Sequence, residues 1–131
     1  MAQNITKGVK DLLADANGSV QSIDVNEARG LHDNDDYVFI DIRDSAELAK
    51  GGKIPGATWC ARGMIEFAID PASPAHDSVF NQDKTYVFYC ASGGRSALAA
   101  QQAAGMGLSP VINMAGGFGA WQKSDAPVEK I

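Results

Sequence analysis

The chain has 131 residues, 45% of them apolar and 21% charged, with a formal net charge of -5. That length suits one compact domain that buries a real core without disulfide staples. The acidic balance disfavours nucleic acid and anionic membranes as partners, and no stretch approaches the roughly 20 apolar residues of a membrane span.

Val9, Leu12, Leu13 and Ala16 recur at helical spacing, which predicts a helix over 6–16 stopped by Asn17-Gly18. Lys7, Lys10, Asp11 and Asp15 interrupt this segment. It does not read as a secretory leader, so a cytoplasmic, reducing location is expected. Residues 20–23 are short and β-branched, a strand. Asp24 with Glu27 three residues on forms a capping-box pattern for a helix through Leu31. Residues 37–42, Tyr-Val-Phe-Ile-Asp-Ile, read as a strand buried on both faces. A short helix over 45–50 ends at Gly51-Gly52, and residues 54–59 turn into another short strand. Residues 63–69 read as helical, with Pro71 and Pro74 beyond.

Residues 86–89, Tyr-Val-Phe-Tyr, form a second buried strand that runs straight into Cys90. A helix over 95–104 follows, rich in Ala, Leu and Gln and closed by Gly105 and Gly107. Residues 111–114 are a further strand, and Ala115-Gly-Gly117 turns into a last helix holding Trp121. Strands alternating with helices predict an α/β fold, a mainly parallel central sheet of about five strands with helices on both faces. The expected organisation is one domain over 1–131, with 1–19 a helical extension and 20–128 the core.

The chemistry concentrates where a strand ends in Cys90 and a small-residue loop, Ala91-Ser92-Gly93-Gly94, leads to Arg95, Ser96 and a helix. Sites of parallel sheets lie beyond the carboxyl ends of strands. Glycines let several backbone N–H groups turn inward, and the helix start adds its own free N–H groups and positive dipole end. Arg95 adds a full charge, so an anion cradle centred on the sulfur is expected. Such a cradle favours the thiolate, which at the ordinary thiol pKa is only a few per cent of the thiol at neutral pH.

With these residues in view, the chain resembles the rhodanese family from about Ser22 to Val128. Asp41-Ile-Arg43, Glu47 and Gly52-Lys-Ile-Pro-Gly-Ala57 resemble its first motif. Cys90-Ala-Ser-Gly-Gly-Arg95-Ser96 resembles its active-site loop. Asn113-Met-Ala-Gly-Gly117, Trp121 and Ala126-Pro-Val128 resemble its closing motif. Lys53 stands where the family often has His, a position read as structural. The resemblance implies a sulfurtransferase: the Cys90 thiolate takes the outer sulfur of a donor such as thiosulfate, and a thiophilic acceptor (cyanide or a thiol) removes it. It implies no metal or organic cofactor. The implied partners are a small sulfur-containing anion and a thiol acceptor, a protein sulfur acceptor included.

Around the loop, Ser92 and Ser96 are candidate donors to sulfur or substrate. Asp41 and Arg43 end the neighbouring strand and read more readily as an ion pair, with Glu47 a further partner, than as support for the loop. Arg62 is equally a donor-anion contact or a surface arginine. Cys60 reads as a packed thiol rather than a resolving one. Trp59, Phe67, Phe118 and Trp121 read as core or pocket wall. His32 and His76 carry no sign of a base or ligand. Two rivals remain. One is a persulfide carrier or partner-binding module without fast turnover. The other, a Cys-dependent phosphatase or arsenate reductase, uses a loop one residue longer than the four between Cys90 and Arg95. With Arg95 its only cation, the loop favours a low-molecular-weight persulfide or protein donor over thiosulfate.

Overall fold

The structure, a computed structural model, describes residues 2–131. One parallel sheet runs in the order β1 (Gln21–Ile23), β5 (Val111–Met114), β4 (Thr85–Tyr89), β2 (Tyr37–Asp41), β3 (Thr58–Trp59). The central strand β4 pairs with β2 from Tyr37 opposite Thr85 to Asp41 opposite Tyr89. Along β4 the side chains alternate. Tyr86, Phe88 and then Cys90 enter one apolar cluster, while Val87 and Tyr89 enter the other. A strand buried on both faces needs helices on both. α4 (Ile65–Ile69) and α5 (Gly94–Met106) supply Ile65, Ala68, Ala99 and Ala103 to the Cys90 side, and α1 (Val9–Ser19) packs on α5. α2 (Val25–Leu31) and α6 (Gly117–Lys123) supply Val25, Ala28, Phe118 and Trp121 to the other, and α3 (Ser45–Gly51) follows β2.

Two helices outrun their expected ends. α1 starts at Val9 and passes through Asn17-Gly18 to Ser19, where Gln101 of α5 donates to the Ser19 hydroxyl at 3.2 Å. α5 passes through Gly105 to Met106 and ends at Gly107. In α1, packing on α5 outweighs a local propensity cost of about 1 kcal/mol at the glycine, and α5 runs on to the left-handed Gly107, whose N–H caps the Ala103 and Ala104 carbonyls. Residues 62–69 divide into a 3₁₀ turn, Arg62–Met64, and α4. The Asp24 side chain accepts the Glu27 N–H at 2.9 Å and so starts α2 as the sequence predicts. Trp59 and Phe67 depart from the expected core or pocket wall: they are 45% and 56% exposed. Trp59 ends the two-residue edge strand β3, with its indole N–H anchored on the Arg43 carbonyl at 2.7 Å, and Phe67 lies on the face of α4 opposite the buried Ile65, Ala68 and Ile69. Phe118 and Trp121 are buried as expected.

The sheet's carboxyl end is braced by a buried ion pair. Arg43 Nη2 lies 2.7 Å from Asp41 Oδ2 and donates also to the Gly52 carbonyl at 2.8 Å. Its guanidinium stands 4.3 Å from the Phe118 ring centroid. Burial works against the Arg43 charge, but Asp41 outweighs it and the guanidinium pKa rises. The pair is therefore part of the frame between β2, α3 and α6, and Glu47 is not its partner. Lys53 is framework too. It exchanges backbone hydrogen bonds with Glu129, and its Nζ reaches the Ala57 carbonyl at 2.9 Å.

Candidate active site

β4 delivers Cys90 to the carboxyl end of the sheet, between the ends of β2 and β5. The loop after it holds its shape through Gly93, which takes φ 102° at the N-cap of α5. A Cβ there would stand 3.2 Å from the Gly116 nitrogen. The β5–α6 turn closes on the loop from the other side. Phe118 N–H donates to the Cys90 carbonyl at 2.7 Å and Gly119 N–H to the Ala91 carbonyl at 3.0 Å. This approach depends on Gly117, whose φ is 59° and whose added Cβ would lie 2.5 Å from the Cys90 oxygen.

Cys90 is fully buried. Gly93 N–H points at its sulfur at 3.1 Å, and the Ser96 hydroxyl lies 3.4 Å away. Burial opposes ionisation of the thiol. The Ser96 hydroxyl and the N–H groups of Ser96, Ser92 and Gly93 outweigh it, and the Cys90 pKa falls below its ordinary value. Thus Ser92, Gly93 and Ser96 converge on the sulfur. Ser92 does so through its backbone, and its side chain is exposed.

Asn113, on β5, completes the arrangement, although the sequence marks it only as part of a motif. Its Oδ1 accepts the Ser96 hydroxyl at 2.6 Å, and its Nδ2 donates to the Gly93 carbonyl at 3.2 Å. One signal does point to it: Asn113 is the one amide in the otherwise apolar strand Val-Ile-Asn-Met, and a buried amide must find partners. A serine hydroxyl has one proton. Directed at Asn113, it leaves the Ser96 oxygen free to accept a thiol proton. Turned to the sulfur, it stabilises a thiolate.

Arg95 departs most from expectation. Its guanidinium is forked onto Glu47 of α3, with Nη1–Oε1 2.8 Å and Nη2–Oε2 2.9 Å, instead of pointing freely at the sulfur. The Arg95 hydrogen bonds outweigh burial and, with the Asp44 N–H, hold the Glu47 carboxyl down at about pKa 2. Glu47, which the sequence offers as a partner of Arg43, is thus the neighbour of the loop. Arg62 is likewise committed, to Glu66 at 3.1 Å one helical turn on. Cys60 is a free buried thiol, as is Cys90. Burial and the charges of Asp77 and Glu66 push Cys60 up to a pKa of about 11.

Beside the loop, a cleft of about 380 Å³ is lined by Arg43, Glu47, Lys50, Ala91, Phe118 and Gly119. A larger cavity of about 580 Å³ lies at the opposite, amino end of the strands, among Gln21, Tyr37, Thr85 and Pro110. Chemistry rather than volume locates the site, because only the first cleft adjoins the Cys90 loop. Among the described residues, no cluster of His, Cys, Asp or Glu suits a metal ion, and no helix is long and apolar enough to cross a membrane.

Residues 24–124 match the rhodanese-like domain as a family. The chain belongs to the rhodanese-like domain family. It is 34% identical over 98 residues to a sulfurtransferase of Allochromatium vinosum, covering 75% of this chain and 83% of that one. It is 33% identical over 118 residues to rhodanese-like domain-containing protein 17 of Arabidopsis thaliana, covering 84% and 73%. Its fold matches, with TM-score 0.95 and 50% identity over 98% of this chain and 99% of the other, a structure from Rhodopseudomonas palustris described as a protein of unknown function, possible tyrosine phosphatase. The rhodanese-like match leaves α1 outside, whereas the Rhodopseudomonas structure spans nearly the whole chain.

Proposed function

We propose that the protein is a rhodanese-type sulfurtransferase in which Cys90 carries the moving sulfur. The observation that supports this most is the convergence of the Gly93 N–H and the Ser96 hydroxyl on the Cys90 sulfur, at 3.1 and 3.4 Å, with its pKa lowered. In the first step the thiolate attacks the outer sulfur of the donor. A Cys90–sulfur bond forms, the donor's S–S bond breaks, and its electron pair leaves with sulfite when thiosulfate is used. The donors that held the thiolate then hold the persulfide anion. In the second step an acceptor, cyanide or a thiolate, attacks the outer sulfur and Cys90 leaves as thiolate. Two covalent half-reactions give ping-pong kinetics.

The Rhodopseudomonas description makes phosphatase chemistry the alternative to weigh. Two features favour sulfur. Only four residues separate Cys90 from Arg95, a tight ring for a tetrahedral oxyanion, and the Arg95 fork that would clamp phosphate is occupied by Glu47. A persulfide carrier would share the first step and lack fast turnover.

The test is intact mass after incubation with sulfane-sulfur donors, thiosulfate and an organic persulfide. A gain of one sulfur, about 32 Da, removed by cyanide and absent in Cys90→Ala, is expected from the covalent mechanism. Turnover of a phosphomonoester that depends on Cys90, with no persulfide ever detected, would overturn the reading. Sulfur loading without acceptor turnover would point to the carrier.

A further inference from the structure

Resting on that reading, we propose that Glu47 makes the site select its sulfur donor by charge. By neutralising Arg95, the loop's only cation, it favours low-charge organic persulfides over dianions such as thiosulfate.

Both Glu47 oxygens engage both terminal nitrogens of Arg95, at 2.8 and 2.9 Å, so the guanidinium offers its paired donors to a carboxylate instead of a donor anion. Glu47 is itself fixed. It sits in the first turn of α3, where its Oε1 also accepts the Asp44 N–H at 3.1 Å in a capping box. The carboxylate therefore stands against the loop as part of the fold. The arginine that lines the neighbouring cleft is spent as well, since Arg43 is bound to Asp41 and the Gly52 carbonyl. What the loop offers an incoming donor is Ala91 and Ser92, both uncharged, together with backbone N–H groups around the sulfur. N–H groups stabilise a single negative charge on sulfur. They do little for a sulfonate group held outside the ring beside a carboxylate. A hydropersulfide brings no such group: Cys90 attacks its outer sulfur, the S–S bond breaks, and the donor thiolate leaves with the electron pair.

The experiment compares kcat/KM for thiosulfate with that for the hydropersulfide of 2-mercaptoethanol, in the full chain with cyanide as acceptor. Glutamine at position 47 keeps the capping bond and removes the charge. In Glu47→Gln the thiosulfate-to-persulfide ratio is expected to rise on the order of tenfold, carried by the thiosulfate KM. Glu47→Ala should move the ratio in the same direction. An Arg95→Gln background should abolish the shift, because the effect acts through the arginine. An unchanged ratio, with both donors weakened together, would reduce Glu47 to a structural brace and overturn the proposal. So would a shift that persists without Arg95, or a ratio that responds to Lys50→Gln on the same cleft and not to Glu47. If neither donor loads sulfur onto the wild-type protein, the sulfurtransferase reading itself falls, and this proposal with it.

Discussion

Cys60 and Cys90 lie in the same apolar cluster, 8% and 0% exposed, and both are free thiols. Burial penalises the thiolate at each. At Cys60 nothing answers that penalty: the charges that reach it, Asp77 and Glu66, are negative, and its one polar contact is a distant 4.0 Å approach to the Ala61 carbonyl. At Cys90 the chain turns its N–H groups and a hydroxyl onto the sulfur and reverses the sign. The two thiols therefore differ by what the next few residues do. After Cys60 the chain enters a 3₁₀ turn, and after Cys90 it enters a glycine loop and a long helix. Depth in the core says nothing about reactivity until the donors around the sulfur are counted.

The largest break in this comparison is removal of the sulfur. Cys90→Ser should cut sulfur transfer on the order of 10⁴-fold or more, whereas Cys60→Ser should leave it within about twofold, read as steady-state rates with one donor. A comparable loss in Cys60→Ser would make that thiol a participant. Next comes the loop's support. Gly117→Ala puts a methyl group 2.5 Å from the Cys90 oxygen at a φ of 59°. It should cost roughly 2 kcal/mol or more in denaturant unfolding and lower transfer with it. Equal stability in the variant would mean that the β5–α6 turn does not hold the loop.

Much of the contrast between the thiols is legible in the amino-acid sequence. The apolar run Tyr-Val-Phe-Tyr ending in Cys90 places the nucleophile candidate on a central strand, and Gly93-Gly94 ahead of a helix announces inward N–H groups. These signals are local, and local chemistry survives folding. Glu47 is not legible, because it meets Arg95 across 48 positions of sequence, and nothing in the chain says which of the nearby arginines a carboxylate will choose. The choice is set by tertiary placement: Arg43 is consumed by Asp41, two residues away. Trp59 and Phe67 mislead for a related reason. Aromatic side chains predict burial on average, but Trp59 sits on a two-residue edge strand, and Phe67 faces away from the Ile65, Ala68 and Ile69 side that α4 buries. Asn113 stands in plain sight as an amide in a buried strand, and its partners require the fold.

A smaller effect bears on Cys90 alone. Ser96→Ala removes a donor to the thiolate, so the thiol pKa must rise. The pH–rate profile for sulfur loading should move to the alkaline side, with a loss of several-fold, roughly, at neutral pH that shrinks as pH rises. A profile that drops uniformly at every pH would assign Ser96 to loop packing through Asn113 instead. Alkylation by iodoacetamide offers an independent reading of the same shift.

The smallest effect separates the two thiols through stability alone. Cys60 has a folded pKa of about 11 against an ordinary 9.0, so the fold holds its proton more tightly than the unfolded chain does. Its contribution is fully present below pH 9.0 and is lost as pH rises through about 11. Cys90, whose folded pKa is depressed, behaves in the opposite sense. Its contribution is present above the unfolded value and is lost as pH falls through the folded one. Urea unfolding from about pH 8 to about pH 11 should therefore diverge between variants. Cys60→Ala should flatten the alkaline decline, and Cys90→Ala should steepen it relative to wild type. Tyr86 and Tyr89, whose pKa values burial also raises, add to the alkaline decline, but they are common to every variant and cancel in the difference. Parallel curves for the two variants would mean that the thiols share one electrostatic environment, and the contrast between them would fail.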